Sequence, residues 1–289
     1  MADFTNIIRL QDDEFKKFAK LIHDESGIFM KDTKITLLSN RLRKRLKALQ
    51  IETYSRYYDY IVGLKDKSEE IESLIDVVST NETYFFRNDK QFEAFADFCL
   101  PAVAKKKSGM NDRKLRIWSA GCSTGEEPYT IAICILENRH LFQGWEITIT
   151  ATDIAPSVLD FAKKAEYSGR RIEKVKSDLL NKYFIQSREN PENFTVKDEV
   201  KNLITFDVLN LFKKQFPKSQ DIIFCRNVMI YFDKEHQKKL LSGFYGSICK
   251  YGFLFLGHSE TLHSISDDFI YKKIMETPVY IPKEMNGEL

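Results

Sequence analysis

The sequence is poor in cysteine, and its cysteines are not arranged as in a disulfide framework or a zinc site. Its 289 residues include five cysteines, an odd number, and no two of them form a CxxC pair. The HExxH motif of zinc peptidases and a recognisable Ser-His-Asp pattern are also missing. We therefore expect reduced thiols and no bound metal.

The chain also lacks a membrane-spanning run, a secretion signal and a strong net charge. No apolar stretch approaches the ~20 residues that a bilayer-spanning helix needs, and the start of the chain has neither the basic segment nor the apolar run of a signal peptide. A formal net charge of +2 gives no overall attraction to nucleic acid or anionic lipid. We expect a cytoplasmic monomer that neither inserts into membranes nor binds nucleic acid.

Residues 1–104 are predicted to form an N-terminal helical domain and a linker helix. Apolar residues recur at helical spacing in DDEFKKFAKLIHDESG, which Gly27 can end, and in TLLSNRLRKRLKALQ. The segment DKQFEAFADFCLPAV is predicted to be a helix that ends near Pro101. The polar, turn-rich AKKKSGMNDRK that follows is typical of a linker.

Residues 105–289 are predicted to form a doubly wound α/β domain. Strand-like runs such as KLRIWSA, WEITITATD and DIIFCRN alternate with helical segments, which favours a mostly parallel sheet covered on both faces. The tail offers two further strands that can pair as antiparallel edge strands. A β-rich stretch around RENPEN interrupts the alternation, and we expect a small antiparallel insertion at about residues 168–206.

The loop AGCSTGEEP lies where an open parallel sheet binds ligands, directly after the first predicted strand. Gly121 and Gly125 allow a ligand to approach the backbone closely. Glu126 and Glu127 stand where a phosphate-binding loop has its lysine, and the GxGxxG pattern is missing. Such a loop suits hydroxyls or a cation better than phosphate.

The next predicted strand ends at Asp153, in a position where an acid typically accepts hydrogen bonds from ribose hydroxyls. A glycine-containing loop, an acid beside it and a ribose acceptor fit a nucleoside that has no pyrophosphate. S-adenosylmethionine, with its cationic sulfonium, is such a molecule. The plainer alternative is that Gly121, Gly125 and Asp153 only form turns.

Five segments in the same order resemble a known family, the chemotaxis receptor glutamate O-methyltransferases (CheR family). They are WSAGCSTGEEPY, TNETYFFRN, ATDIAPSVLDFAKKAEYS, FDVLNLF and DIIFCRNVMIYFDKEHQKKLL. The resemblance implies a Rossmann-like class I S-adenosylmethionine-dependent methyltransferase fold. It also implies transfer of a methyl group to glutamate side chains of chemoreceptors, which gives methyl esters and S-adenosylhomocysteine.

The resemblance assigns a cofactor site to residues from several of these segments. By matching motifs, the expected cofactor-binding residues are Asn81, Thr83, Arg87, Gly121, Glu126, Asp153, Asn210, Leu211, Asn227 and Val228. Arg87 suits the methionine carboxylate, since guanidinium and carboxylate pair as a fork. Each also has an ordinary alternative: a helix cap, a turn, a surface charge or strand-to-helix packing.

Arg226 and Tyr231 are the expected catalytic residues, placed at the end of a strand in CRNVMIYF. A glutamate carboxylate is already ionised near neutral pH, so the reaction needs no general base. The enzyme has to hold the carboxylate and the methyl group at near-attack distance and exclude water. Arg226 or Tyr231 can assist by donating to the incoming carboxylate.

The segment Lys31–Lys47 contains seven basic residues and one acid, a local charge of +6. We expect Arg41, Arg43 and Arg45 to dock onto an acidic helical surface such as the cytoplasmic helices of a methyl-accepting receptor. A solvated helix face is the usual alternative for such a run. Nucleic-acid binding ranks last, since no known motif accompanies the charge.

Two other functions stay open, and so does the role of the insertion. One is S-adenosylmethionine-dependent methylation of another substrate, such as RNA or a small acid, although the strand end reads CRNVMIY in place of NPPY or DPPY. The other is a non-catalytic binding module, although the loop glycines and Asp153 are retained. The family resemblance also raises tethering of a receptor peptide by the insertion, but SRENPENF lacks the glycine-rich turn.

Overall fold

The N-terminal part of the chain is a helical domain with its own apolar core. The computed structural model describes residues 9–213, 215–285 and 287. Its first helices are α1 Asp12–Ser26, α2 Ile35–Leu49, α3 Tyr54–Gly63 and α4 Ser68–Val78, with a 3₁₀ turn at Asp32–Lys34. Their apolar faces enclose one cluster that contains Phe18, Leu42 and Tyr57. The predicted helices are confirmed, and Gly27 ends α1 in the left-handed conformation at φ 74°.

A long helix follows, and it extends into the first half of the predicted linker. It consists of α5 Asp89–Ala94, a π-helical turn Phe95–Cys99 and α6 Leu100–Gly109. The predicted end near Pro101 is wrong, and the predicted domain boundary at residue 104 falls inside a helix. The reason is tertiary: the fully buried Lys107 Nζ lies 2.9 and 2.8 Å from the two carboxylate oxygens of Asp221. The polar composition of this segment therefore does not reveal that its first residues form a helical turn with a buried lysine.

The second part is built on a seven-stranded sheet. Its strands are β1 Lys114–Ala120, β2 Glu146–Asp153, β6 Ile204–Val208, β7 Gln220–Cys225, β8 Ile248–Leu256, β9 Phe269–Ile274 and β10 Thr277–Pro282. They lie in the order β6-β2-β1-β7-β8-β10-β9, and β10 pairs antiparallel with both β8 and β9. The mostly parallel sheet and its antiparallel edge strands are as predicted. The chain builds outward from β1 in one direction and then from β7 in the other, so the switch point lies between these two strands.

Helices cover both faces of this sheet. They include α7 Glu126–Glu137, α8 Pro156–Lys164 and α11 Lys234–Tyr245. Neighbouring residues of one strand enter different cores: Phe224 packs with α5–α7, whereas Ile223 packs with α11. This alternation is the expected consequence of a strand that is buried on both sides.

The predicted antiparallel insertion is present, but it ends earlier than expected. It consists of β3 Glu166–Tyr167, β4 Phe184–Gln186 and β5 Phe194–Val196 in the order β3-β5-β4, with short helices α9 Ser177–Tyr183 and α10 Asp198–Lys201. Residues 204–206 belong to β6, which pairs in parallel with β2 and forms an edge of the large sheet. The predicted limit at about residue 206 therefore falls inside β6, because a β-rich run alone does not reveal which sheet it joins.

Candidate functional site

A cavity of about 620 Å³ lies between the helical domain and the carboxyl ends of the parallel strands. One wall is formed by the end of α1, by α2 and by the extended segment 78–84. The opposite wall is formed by the β1–α7 loop, the end of β2, residues 209–211 and residues 226–232. Every predicted cofactor-binding or catalytic residue except Glu126 lines this cavity.

At Gly121 the backbone of the β1–α7 loop approaches the Val228 side chain closely. The φ of Gly121 is 82°, and its N–H donates to the Thr152 carbonyl at 2.8 Å. A Cβ at this position would lie 2.4 Å from the Val228 Cγ2 atom. Only glycine therefore gives this wall its shape, whereas Gly125 lies behind the loop against Ala162 and Tyr167.

Glu126, a predicted cofactor-binding residue, does not line the cavity. It is fully buried, accepts a hydrogen bond from Thr124 Oγ1 at 2.7 Å and pairs with the Arg171 guanidinium. The next residue, Glu127, lines the cavity and accepts from Ser119 Oγ at 2.7 Å. Successive helical residues point about 100° apart, and the EE pair alone does not show which acid faces the ligand.

Asp153 ends β2 with its carboxylate directed at the cavity. Its Oδ2 accepts from the Ser123 N–H at 2.8 Å and its Oδ1 from the Ala155 N–H at 3.0 Å. Burial raises the pKa of Asp153 above its usual range, although these backbone donors oppose that change. Each carboxylate oxygen can accept more than one hydrogen bond, so Asp153 keeps acceptor capacity for a ligand hydroxyl.

Arg226 links three parts of the site. Its Nη1 donates to Glu127 Oε2 at 3.1 Å, its Nη2 donates to the Arg87 carbonyl, and its guanidinium lies 5.1 Å from the centre of the Phe92 ring. Only 6% of the residue is exposed, and this burial lowers the pKa of Arg226. These contacts hold the β1–α7 loop against the TNETYFFRN segment and leave only Nε without a hydrogen-bond partner among the described atoms.

Glu260, which the sequence analysis missed, organises the strand end that carries Asn227. Its carboxylate accepts from the backbone N–H groups of Asn227 at 2.8 Å, Gly257 at 2.6 Å and Ile230 at 3.2 Å. Asn227 thereby adopts a left-handed φ of 60°, and its buried Oδ1 has no donor among the described residues. Burial raises the pKa of Glu260 despite these donors. The sequence carries no signal for this role beyond an acid in GHSETL.

Three other predicted residues line the cavity, and they differ in how far their hydrogen-bonding groups are already occupied. Asn210 is engaged on both sides of its amide, donating to the Glu25 carbonyl at 2.9 Å and accepting from the Phe212 N–H at 2.9 Å. Leu211 offers an apolar surface beside it. Arg87 is half-buried and donates to the Glu82 carbonyl at 2.7 Å, so part of its guanidinium is already occupied.

The basic helix does not present its arginines as a solvated face. Arg45 forms a two-pronged contact with Glu70, with Nε–Oε1 at 3.0 Å and Nη2–Oε2 at 2.5 Å, and is only 19% exposed at its side chain. Arg43 is half-buried. Arg41 donates to the Val78 carbonyl and to Thr80 Oγ1 at 2.9 Å, and it lines the cavity. Arg45 is therefore engaged within the helical domain, and its docking role stays a prediction.

The mouth of the cavity is formed by residues on both domains. Lys34, at the end of the 3₁₀ turn, and Leu37 of α2 line it and are exposed, and Tyr231 lines it from the opposite side. Burial lowers the pKa of Arg41, and the nearby Tyr231 phenol partly offsets this effect. The Tyr231 carbonyl accepts from the Phe29 N–H at 2.7 Å, which ties the two sides together.

The fold and the cavity define the class of this protein. A doubly wound sheet carries a ligand cavity at its switch point, with a glycine loop and acids but no phosphate-binding lysine. These features are typical of a doubly wound domain that binds a nucleoside-containing cofactor without a pyrophosphate. Within the described residues, no helix has the length and apolar character needed to cross a membrane.

Comparison with known proteins identifies the family. Residues 13–79 match the profile described as "CheR methyltransferase, all-alpha domain", and residues 81–279 match "CheR methyltransferase, SAM binding domain". The chain belongs to the CheR methyltransferase family, and S-adenosylmethionine is its cofactor.

Curated relatives cover nearly the whole chain. The Borreliella burgdorferi chemotaxis protein methyltransferase is 38% identical over 258 residues, which is 88% of this chain and 90% of the relative. The Salmonella typhimurium protein of the same name is 34% identical over 273 residues, 93% of this chain and 91% of the relative. Chemotaxis protein methyltransferase 2 of Vibrio cholerae is 31% identical over 278 residues, 95% of this chain and 94% of the relative.

Proposed function

We propose that this protein methylates glutamate side-chain carboxylates on the cytoplasmic helices of chemotaxis receptors. The products are glutamyl methyl esters and S-adenosylhomocysteine. The observation that carries the proposal is the division of the cavity. Its interior holds the buried acid Asp153 and the largely buried acid Glu127, whereas its mouth holds the basic side chains Lys34 and Arg41. The relatives named chemotaxis protein methyltransferase support a receptor as the substrate.

The residues of the inner wall fit the cofactor. The cavity volume falls within the ~300–1,000 Å³ that is usual for small-molecule sites. We assign ribose hydroxyls to Asp153, the adenine face to Leu211 and the methionine carboxylate to Arg87, with Asn81 and Thr83 beside it. Asn227 Oδ1 is a buried acceptor that has no donor among the described residues. Gly121 and Val228 form the part of the wall where the loop backbone and a side chain are in close contact.

S-adenosylmethionine supplies a methyl group that is electrophilic because it is attached to a sulfonium. The protein's share of the reaction is to bind the glutamate substrate, keep its carboxylate ionised and exclude water. Lys34, Arg41 and Tyr231 surround the mouth through which that carboxylate enters. We assign Tyr231 the donor role toward the carboxylate. Arg226 is instead a positioning residue, because Glu127 and the Arg87 carbonyl already hold both of its terminal nitrogens.

The proposal is tested with a purified cytoplasmic receptor fragment and methyl-labelled cofactor. We expect base-labile label on the fragment, and we expect its loss when the methylated glutamates are replaced by glutamine, a neutral side chain of the same size. Total RNA and small carboxylic acids serve as competing substrates. Label that stays on the glutamine fragment, or that goes to RNA in preference, would contradict the proposal.

A further inference from the structure

Two histidines and one aspartate converge where the helical domain meets α11. His23 lies on α1, whereas Asp233 and His236 lie at the start of α11. The Asp233 Oδ2 atom is 2.9 Å from His23 Nε2 and 2.8 Å from His236 Nδ1. All three side chains are partly exposed, with 30%, 31% and 12% of their surfaces accessible, so an ion from solution can reach them.

Local structure aims these donor atoms at one point. Asp233 caps α11, and its Oδ1 accepts from the His236 N–H at 2.9 Å, which leaves Oδ2 facing the imidazoles. The three-residue spacing places His236 over Asp233 on the first turn of the helix. Gly27 and Phe29 then fix the end of α1. A Cβ on Gly27 would lie 2.8 Å from the Phe212 ring, and the Phe29 N–H donates to the Tyr231 carbonyl.

The chemistry of this cluster is that of a first-row transition metal site. Two imidazoles and a carboxylate form a ligand set typical of Zn²⁺, with a fourth position left for water. The three donor atoms all lie within 4.8 Å of one another, and no other such group of three occurs among the described parts of the chain.

We propose that His23, Asp233 and His236 bind one divalent transition metal, of the Zn²⁺ type, that joins the helical domain to the methyltransferase domain. The sequence suggested no metal because the ligands are about 210 residues apart and form no short motif. The metal would hold α1 against the loop that carries Tyr231, at the side of the cavity. The proposal concerns this clamp only and is independent of the methylated substrate.

The test is titration of the full-length, tag-free protein with Zn²⁺ by calorimetry, repeated with Co²⁺ and visible absorption. The wild type is expected to bind one Zn²⁺ per chain and to give the absorption of four-coordinate Co²⁺. His23→Ala, Asp233→Ser and His236→Gln should each weaken binding by at least about tenfold, which is the lower end of the loss caused even by an outer-shell partner. Asp233→Ser retains a good helix cap, and His236→Gln retains a polar partner.

His140→Ala is the matched control, since His140 is exposed and lies outside the cluster. It should bind Zn²⁺ as the wild type does, and melting without metal should show that the variants are folded. Zn²⁺ should raise the melting temperature of the wild type and of His140→Ala, but not that of the cluster variants. If the wild type shows no saturable binding, the cluster is only a hydrogen-bonded contact and the proposal is wrong. Equal binding by wild type and His23→Ala would also overturn it.

Discussion

The inner wall of the cavity and its mouth are built in opposite ways. On the inner wall Asp153 and Arg226 are buried, and Glu260 is buried behind Asn227. Each makes at least two hydrogen bonds to backbone or to a wall residue. At the mouth, Lys34 and Leu37 are exposed. A fixed wall suits one invariant small molecule, whereas an exposed mouth suits a large partner that docks and leaves. The difference indicates which residues serve the cofactor and which serve the substrate.

The largest expected effect concerns a residue that belongs to neither region, Arg45. Arg45→Ala leaves Glu70 buried without its cation, and Glu70 also accepts from Tyr57 Oη at 2.6 Å. Removing one partner of a buried pair typically costs about 3–5 kcal/mol, and we expect a loss of stability toward the lower end. Lys44→Ala, on the exposed side of the same helix, should change the free energy of unfolding by no more than about 0.5 kcal/mol. Urea unfolding measures both, and equal stabilities would mean that Arg45 is a surface charge.

A large effect on the inner wall is expected from Gly121→Ala. The new methyl group meets Val228, and the left-handed backbone costs a non-glycine residue about 1–2 kcal/mol. We expect S-adenosylhomocysteine affinity to fall by roughly 30-fold, equivalent to about 2 kcal/mol. Gly144→Ala is the control, because Gly144 has a similar φ of 73° but open space around its Cβ. Calorimetry on both folded variants separates the clash from backbone strain, and unchanged affinity in Gly121→Ala would remove this wall from the site.

These two predictions also show where sequence reasoning succeeded and where it failed. The alternation of strands and helices revealed the sheet, because buried strands must be apolar and βα units repeat. Gly121 and Asp153 were predicted to face the ligand because strand ends meet at one edge of a parallel sheet, and both line the cavity. The pairing of Glu126 with Arg171 and of Arg45 with Glu70 was not predicted, because these partners are distant in the chain and meet only on folding.

An intermediate effect is expected from Asp153→Asn. The amide keeps the size of the side chain but replaces one acceptor oxygen with a donor, which should weaken binding of S-adenosylhomocysteine by about 1–3 kcal/mol. Asp207→Asn is the control, since Asp207 lies near the end of the neighbouring strand β6 but is exposed and outside the cavity. If both variants bind as the wild type does in calorimetry, the ribose assignment is wrong.

The smallest effect is expected at the mouth. Lys34→Glu should raise the KM for an acidic receptor fragment by about fivefold, since exposed charge pairs contribute only about 0.2–1 kcal/mol. The difference should shrink as salt rises, because charges in solution are screened over ~8 Å at physiological ionic strength. Lys44→Glu is the control, because it carries the same charge change on α2, outside the cavity. Equal KM values for the two variants would mean that the mouth makes no specific charge contact.

The division of the cavity into a cofactor wall and a substrate mouth is tested most directly by measuring two constants on two variants. These are the S-adenosylhomocysteine Kd and the receptor KM, each determined for Asp153→Asn and for Lys34→Glu. The account predicts that Asp153→Asn changes mainly the Kd and that Lys34→Glu changes only the KM. Folded variants in which Lys34→Glu weakens cofactor binding, or in which Asp153→Asn leaves it intact, would contradict the division.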